Sequence, residues 1–296
     1  MVRYLVFSLL TLIFLHGSAA SQTTWVVRSD GSGDVPTIKA AIESAVSGDA
    51  ISVWGGDYYE DSLVVDGKDI HFQYQNGVPV IISSYYRQGS GITFRNVGPQ
   101  TNLFGFEFRE YATGISIENS GGMFWYCIIS DCDTGIEVSG ASTSPGIQFI
   151  LVESCGTGIS LLDGSGISIR NMTIVDALTG IESLGGSAVI TRSIVNGCET
   201  GALCSGGSIS LSCNNFYLNT TDYSGCAAGI DDFYGLTRFC YAAEGSPGPY
   251  YLHVDSPCWA ENNACSANVG VFTSSPGCIG TAVEETSWGA IKKIHR

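Results

Sequence analysis

Aligned on the glycine of a recurring Thr-Gly pair (Gly114, Gly135, Gly158, Gly180 and Gly201), the middle of the chain falls into apolar columns. One position later stand Ile115, Ile136, Ile159, Ile181 and Ala202. Three positions later stand Ile117, Val138, Leu161, Ser183 and Cys204. Six positions earlier come Phe108, Ile129, Val152, Ile174 and Val195, and eleven earlier Leu103, Phe124, Ile147, Ile169 and Ile190. Polar residues such as Ser116, Glu137, Ser160 and Glu182 alternate with them. Short apolar runs with a period of two predict half-buried strands, not helices.

The unit returns every 21 to 23 residues. Three short strands per unit, parted by Gly, Ser and Asp turns, predict one turn of a parallel β-helix, so the fold class is an all-β solenoid. A leucine-rich repeat needs a Leu and Asn consensus that is missing, and helical repeats need longer runs free of Gly. Successive turns should lie about 4.8 Å apart, with the apolar columns stacked as a continuous core. The Thr-Gly pair is expected at a bend, where Gly takes a positive φ cheaply. Cys132 and Cys155, three residues before their glycines, are expected as buried thiols on neighbouring turns.

The flanking segments differ. Residues 1–20 read as a secretory signal peptide, with Arg3, an apolar run and Ser18-Ala19-Ala20. After its cleavage the chain should not be an integral membrane protein. Ile38, Ala41, Ile42, Ala45 and Val46 share one helical face, which predicts an amphipathic capping helix of about ten residues within an N-terminal cap, 21–49. Solenoid turns then occupy 50–212. A Cys-rich final turn and cap follow over 213–280, and a linker and short tail over 281–296. An exported chain is expected to pair cysteines, and neighbour pairing gives Cys213–Cys226, Cys240–Cys258 and Cys265–Cys278 among fifteen connectivities.

Charge narrows the partners. With 13 Lys and Arg against 28 Asp and Glu, the formal net charge is -15, which disfavours nucleic acid and polyanionic sugars. Four residues before each glycine stand Glu110, Asp131, Ser154, Asp176 and Gly197. With Asp133 and Glu153 nearby and Arg109 and Arg170 as basic partners, this column is the candidate contact for carbohydrate. Glu110 and Asp131 are the candidate calcium ligands, although no cofactor is required. Turns also favour Asp and Ser for their own sake. Trp54, Tyr58, Tyr59, Tyr85 and Tyr86 form a second candidate surface, for stacking on sugars. No catalytic residue is assigned, because the His residues are scattered and Asp231-Asp232 is the one adjacent Asp pair.

Residues 25–65 contain Gly31-Ser32-Gly33-Asp34, Ile38-Lys39-Ala40-Ala41-Ile42, Gly48-Asp49 and Gly56-Asp57-Tyr58-Tyr59-Glu60. These resemble the entrance of the pectin-lyase-like, right-handed parallel β-helix superfamily. The later cysteine-rich stretch looks like the ends of uncharacterised exported bacterial β-helix-repeat proteins. The resemblance implies the fold but no particular activity. The QAVAL, DFIFG and LGRPW motifs of pectin methylesterases are missing, as are the GHG and RIK motifs of polygalacturonases. The expected function is therefore a secreted or surface-bound, non-catalytic scaffold that recognises a polysaccharide or cell-surface glycan. The alternatives are a polysaccharide lyase or glycoside hydrolase with an atypical acidic site, and a structural adhesin or envelope protein. The tail, with Trp288, Ile291 and Ile294, resembles short terminal tags and is expected to engage sorting or anchoring machinery.

Overall fold

The computed structural model describes residues 22–140, 145–164, 166–240 and 250–271. The expected signal peptide, the expected C-terminal tail and Cys278 lie outside them. The chain winds as a parallel β-helix with three strands per turn. One turn comprises Asn102–Phe104 on a first face, Phe106–Arg109 on a second and Thr113–Glu118 on a third. The next repeats the pattern with Met123–Trp125, Ile128–Ser130 and Thr134–Ser139. Third-face strands form an 8-stranded sheet; the other two faces are joined in a 15-stranded sheet, because the long strand His71–Ser83 runs through both.

Register confirms the columns. Ile92, Ile115, Ile136, Ile159, Ile181 and Ala202 are paired in succession, and all are buried. Ile82, Phe108, Ile129, Val152, Ile174, Val195 and Phe216 form a second buried ladder. Each such side chain contributes roughly 1.5–3 kcal/mol on burial. The repeat extends past both ends of its sequence signature. Ser90-Gly91-Ile92 precedes the first Thr-Gly-Ile, and Thr221-Asp222-Tyr223 follows the last.

The glycine of that tripeptide has a different cause from the one expected. Gly114, Gly135, Gly158, Gly180 and Gly201 lie in strands and none has a positive φ. A Cβ on Gly135 would sit 2.6 Å from the Gly158 carbonyl oxygen and 2.7 Å from a Val152 methyl. The residue is glycine because neighbouring turns close onto it, not because the chain bends there. Asp222 replaces it in the terminal strand of that sheet, where no further strand stacks.

The entrance motifs are structural. The helix spans Ile38–Ser44 and buries Ile38, Ala41 and Ile42 against the solenoid core. It is shorter than expected: Ala45 is already extended and Val46 is 61% exposed, so Val46 leaves the apolar face. Thr37 caps it by accepting from the Ala40 amide at 3.0 Å, and Glu60 accepts from the Ile38 and Lys39 amides at 2.7 and 2.8 Å. At its other end Lys68 donates to the Ile42 and Ala45 carbonyls. Asp49 accepts from the Thr23 and Val46 amides and the Trp25 indole, and these bonds hold its carboxyl below the usual carboxylate range.

The C-terminal region is more than an end cap. After the last full turn the chain doubles back along the outside of the second face. Phe239, Tyr250, Leu252, Trp259, Val269 and Val271 pack there on outward-pointing Leu151, Val175 and Ile194, forming a second apolar core. The disulfides follow this path and correct the expected pairing. Cys204 bonds Cys226 across 22 residues, one turn of the solenoid, and Cys213 bonds Cys265 across 52. Cys240 is also disulfide-bonded, while Cys258 is a buried thiol, so Cys240–Cys258 is not formed. Neighbours in sequence were the wrong partners because neighbours in space lie one turn, or one doubling-back, apart.

Candidate functional site

The acidic column is set by the backbone. Glu110, Asp131, Ser154 and Asp176 have φ between 54° and 63°, and Gly197 completes the column at 69°. Each is the left-handed residue of the turn between second and third faces, a conformation that short polar residues and Gly tolerate best. Glu110 and Asp131 are exposed. Among the described residues no group of three or more His, Cys, Asp or Glu is placed to hold a metal ion. Two carboxylates fall short of the 6–8 oxygens that calcium takes.

The other sequence candidates do not converge. Asp133 and Asp176 line an open groove of 610 Å³ along this turn, with Arg87, Glu199 and the thiols of Cys132, Cys155 and Cys198. Arg87 pairs with Asp133 at 3.2 Å, both exposed. Burial pushes the Cys198 thiol up to about 12; the hydrogen bond that Cys155 donates to Cys132, with burial, pushes Cys155 up, and the same bond lowers Cys132. The protonated Cys155 and Cys198 thiols are poor nucleophiles. Arg170 is exposed on the first face. Tyr58 is buried and donates to the Trp54 carbonyl at 2.6 Å, while the Arg28 guanidinium covers the Trp54 ring at 4.4 Å. Tyr59 is exposed and stacks on Tyr85 at 4.6 Å, with Tyr86 beside it. Asp232 is occupied structurally, accepting from Asn214, Gly229 and Tyr223.

Glu153 is placed quite differently. It points outward from the second face and lies under the doubled-back segment, where the Tyr250 hydroxyl donates to it at 2.6 Å. Burial, the largest influence, raises its pKa, with Asp131 and Glu107 adding to the effect and the Tyr250 bond and Arg109 opposing it. Arg109 binds Glu107 at 2.5 Å, and Glu107 is only 8% exposed.

Next to Glu107 is a site that the sequence reading missed. A cavity of 480 Å³ opens at the corner between first and second faces, lined by Tyr74, Phe104, Glu107, Tyr126, Ile128 and Tyr251 among others. Aromatic rings run along its edge from turn to turn. Phe104 lies 5.5 Å from Tyr74, 5.2 Å from Trp125 and 5.5 Å from Tyr126. Tyr126 then stacks on Phe149 at 5.0 Å with 6° between the planes. Trp125 and Tyr126 are exposed.

The backbone beneath these rings is unusual. Tyr126 and Phe149 have φ of 53° and 52°, in the same turn column as Gly105, Asn171, Arg192 and Cys213. Large aromatic residues seldom adopt this conformation, which costs on the order of 1–3 kcal/mol each. Gly105 is required in the column, since a Cβ there would collide with the Tyr74 ring. The sequence signal was available as Phe104, Trp125-Tyr126 and Phe149, one repeat apart. It is hidden because these rings occupy outward and turn positions beside the apolar columns, which carry the repeat.

The match to known families follows this geometry. The family model described as "Right handed beta helix region" matches residues 27–220, well over half the chain. The chain belongs to the right-handed β-helix family. Among solved structures, a pectin methylesterase from carrot is similar over 79% of this β-helix chain and 94% of its own, at 14% identity and a TM-score of 0.41. No curated protein matches this β-helix chain. No helix among its described residues is long and apolar enough to cross a membrane.

Proposed function

We propose that this β-helix protein is an exported, non-catalytic carbohydrate-recognition scaffold, and that the aromatic groove at Tyr126 and Phe149 is its binding surface. The stacked pair in left-handed backbone carries this reading. Tyr126 is exposed and Phe149 half-buried beneath it, and strain retained at such a stacked pair is strain retained for what the outer ring contacts. Flat aromatic faces beside a few fixed polar groups suit the apolar faces and hydroxyls of a sugar. Glu107, which lines the groove, can accept from sugar hydroxyl groups while Arg109 holds it in place.

Two features favour binding over turnover. Hydrolysis of a glycosidic bond commonly uses two facing carboxylates, and Glu107 is the one acidic side chain among the described residues lining the groove. That carboxylate is already engaged by the Arg109 guanidinium. The signal-peptide reading and the disulfides support export. A glycan array, combined with reducing-sugar and ultraviolet-unsaturation screens with and without calcium, tests the proposal. Binding without turnover supports it; turnover of any bound glycan transfers the protein to the lyase or hydrolase class.

A further inference from the structure

The groove has one wall that the solenoid does not supply. Tyr251 lines the cavity together with Phe104 and Tyr126, yet it belongs to the doubled-back C-terminal segment. Its neighbour Tyr250 is fixed to Glu153, 97 residues earlier, and sits at the edge of the second core against Phe239 at 5.4 Å. The Tyr251 carbonyl accepts from the Cys240 amide at 2.7 Å, so the backbone at Tyr251 is held from the other side as well. Farther along, the Thr173 hydroxyl accepts from Val271, the Asn268 carbonyl accepts from Asn171, and Cys265 is bonded to Cys213.

We infer that the C-terminal segment completes the binding groove, with Tyr251 as its contact residue and the Glu153–Tyr250 bond as the pin that positions it. This rests on the carbohydrate reading of the groove. Tyr250 and Glu153 act through Tyr251 and are positioning residues; neither lines the cavity. The arrangement makes recognition depend on the doubling-back of the chain. The solenoid alone presents the aromatic edge but leaves the groove open on one side.

The test uses the full mature chain with its disulfides intact, and cellohexaose, xylohexaose and mannohexaose as probes. Hydrogen exchange over residues 250–271 reports docking of the segment separately from binding. Tyr251→Ala should leave exchange unchanged and weaken the tightest hexasaccharide about tenfold, the scale of one lost aromatic contact. Tyr250→Phe should speed exchange at 250–253 and weaken binding less than Tyr251→Ala does. Tyr251→Phe should restore binding if the ring face is what counts. If the wild type binds a hexasaccharide and Tyr251→Ala binds it equally well, the wall assignment is wrong while the groove stands. If Tyr250→Phe leaves exchange at 250–253 unchanged, the pin is wrong. If the wild type binds none of the three, the groove reading falls and the wall with it.

Discussion

Tyr250 donates its hydroxyl to Glu153 at 2.6 Å, joining the returning C-terminal segment to a strand 97 residues earlier. Glu153 titrates in a cluster with Glu107, Arg109 and Asp131 on the solenoid side and Tyr250 on the other. Its pKa is raised by burial, so the segment is docked over a group that resists ionisation. A carboxyl with a raised folded pKa contributes stability that is fully present below its unfolded value, about 4.3, and is lost as pH rises through the folded one. Docking should therefore weaken as pH rises across that window. Glu153→Gln, which can still accept from Tyr250, should flatten the dependence; hydrogen exchange of residues 250–271 from pH 4 to pH 7 measures it.

Asp49 should behave in the opposite sense. Its folded pKa is depressed by the Thr23 and Val46 amides, so its contribution is present above the unfolded value of about 3.9 and disappears as pH falls through the folded one. Acid should loosen the N-terminal cap, and Asp49→Asn should bring a similar loss at neutral pH. Thermal midpoints of both proteins between pH 2.5 and pH 7 should converge at the acid end.

The Thr-Gly-Ile glycines should tolerate no side chain. Gly135→Ala should destabilise by about 1–3 kcal/mol, the usual cost of overpacking, because its Cβ meets the Gly158 carbonyl. Gly166→Ala, with nothing within 4 Å, should change stability by no more than about 0.5 kcal/mol. Urea unfolding of the two variants separates steric closeness from backbone freedom. Equal midpoints would mean that the closeness of the next turn is not what selects the glycine.

The Cys213–Cys265 bond closes a span of 52 residues, for which loop-closure entropy gives roughly 4 kcal/mol. In the Cys213→Ser, Cys265→Ser double variant the returning segment should become a protease target while the solenoid turns stay resistant. Cleavage sites mapped by mass spectrometry should fall after residue 225. Cleavage spread through residues 100–220 would mean that the segment is part of the solenoid's own stability.

Much of the fold was legible because a solenoid repeats its evidence. Phe108, Ile129, Val152, Ile174 and Val195 are each a weak signal, but five at one spacing fix strand, direction and core together. The cause of the Thr-Gly glycine was not legible, since closeness between Gly135 and Gly158 exists only once the turns are stacked. The doubling-back had a faint signature: Ile128-Ile129, Leu151-Val152, Ile174-Val175 and Ile194-Val195 are apolar on both sides of the strand, as a doubly covered sheet requires. Reading only the inward member concealed the second cover, and with it the fate of Glu153 and the pairing of Cys213. The acidic column was visible, but so regular that turn chemistry explains it, since Glu110, Asp131 and Asp176 share one left-handed position. The aromatic groove joins residues from four successive turns and the C-terminal segment, an assembly that no local window contains.

The central claim is that the strained aromatic pair is a sugar platform. Calorimetric titration of the best array glycan into the wild type and into Tyr126→Ala, Phe149→Ala tests it most directly, with circular dichroism confirming that the β-helix is retained. The account predicts that the double variant keeps its fold and loses binding by at least about tenfold. Binding undiminished in a folded double variant would contradict it.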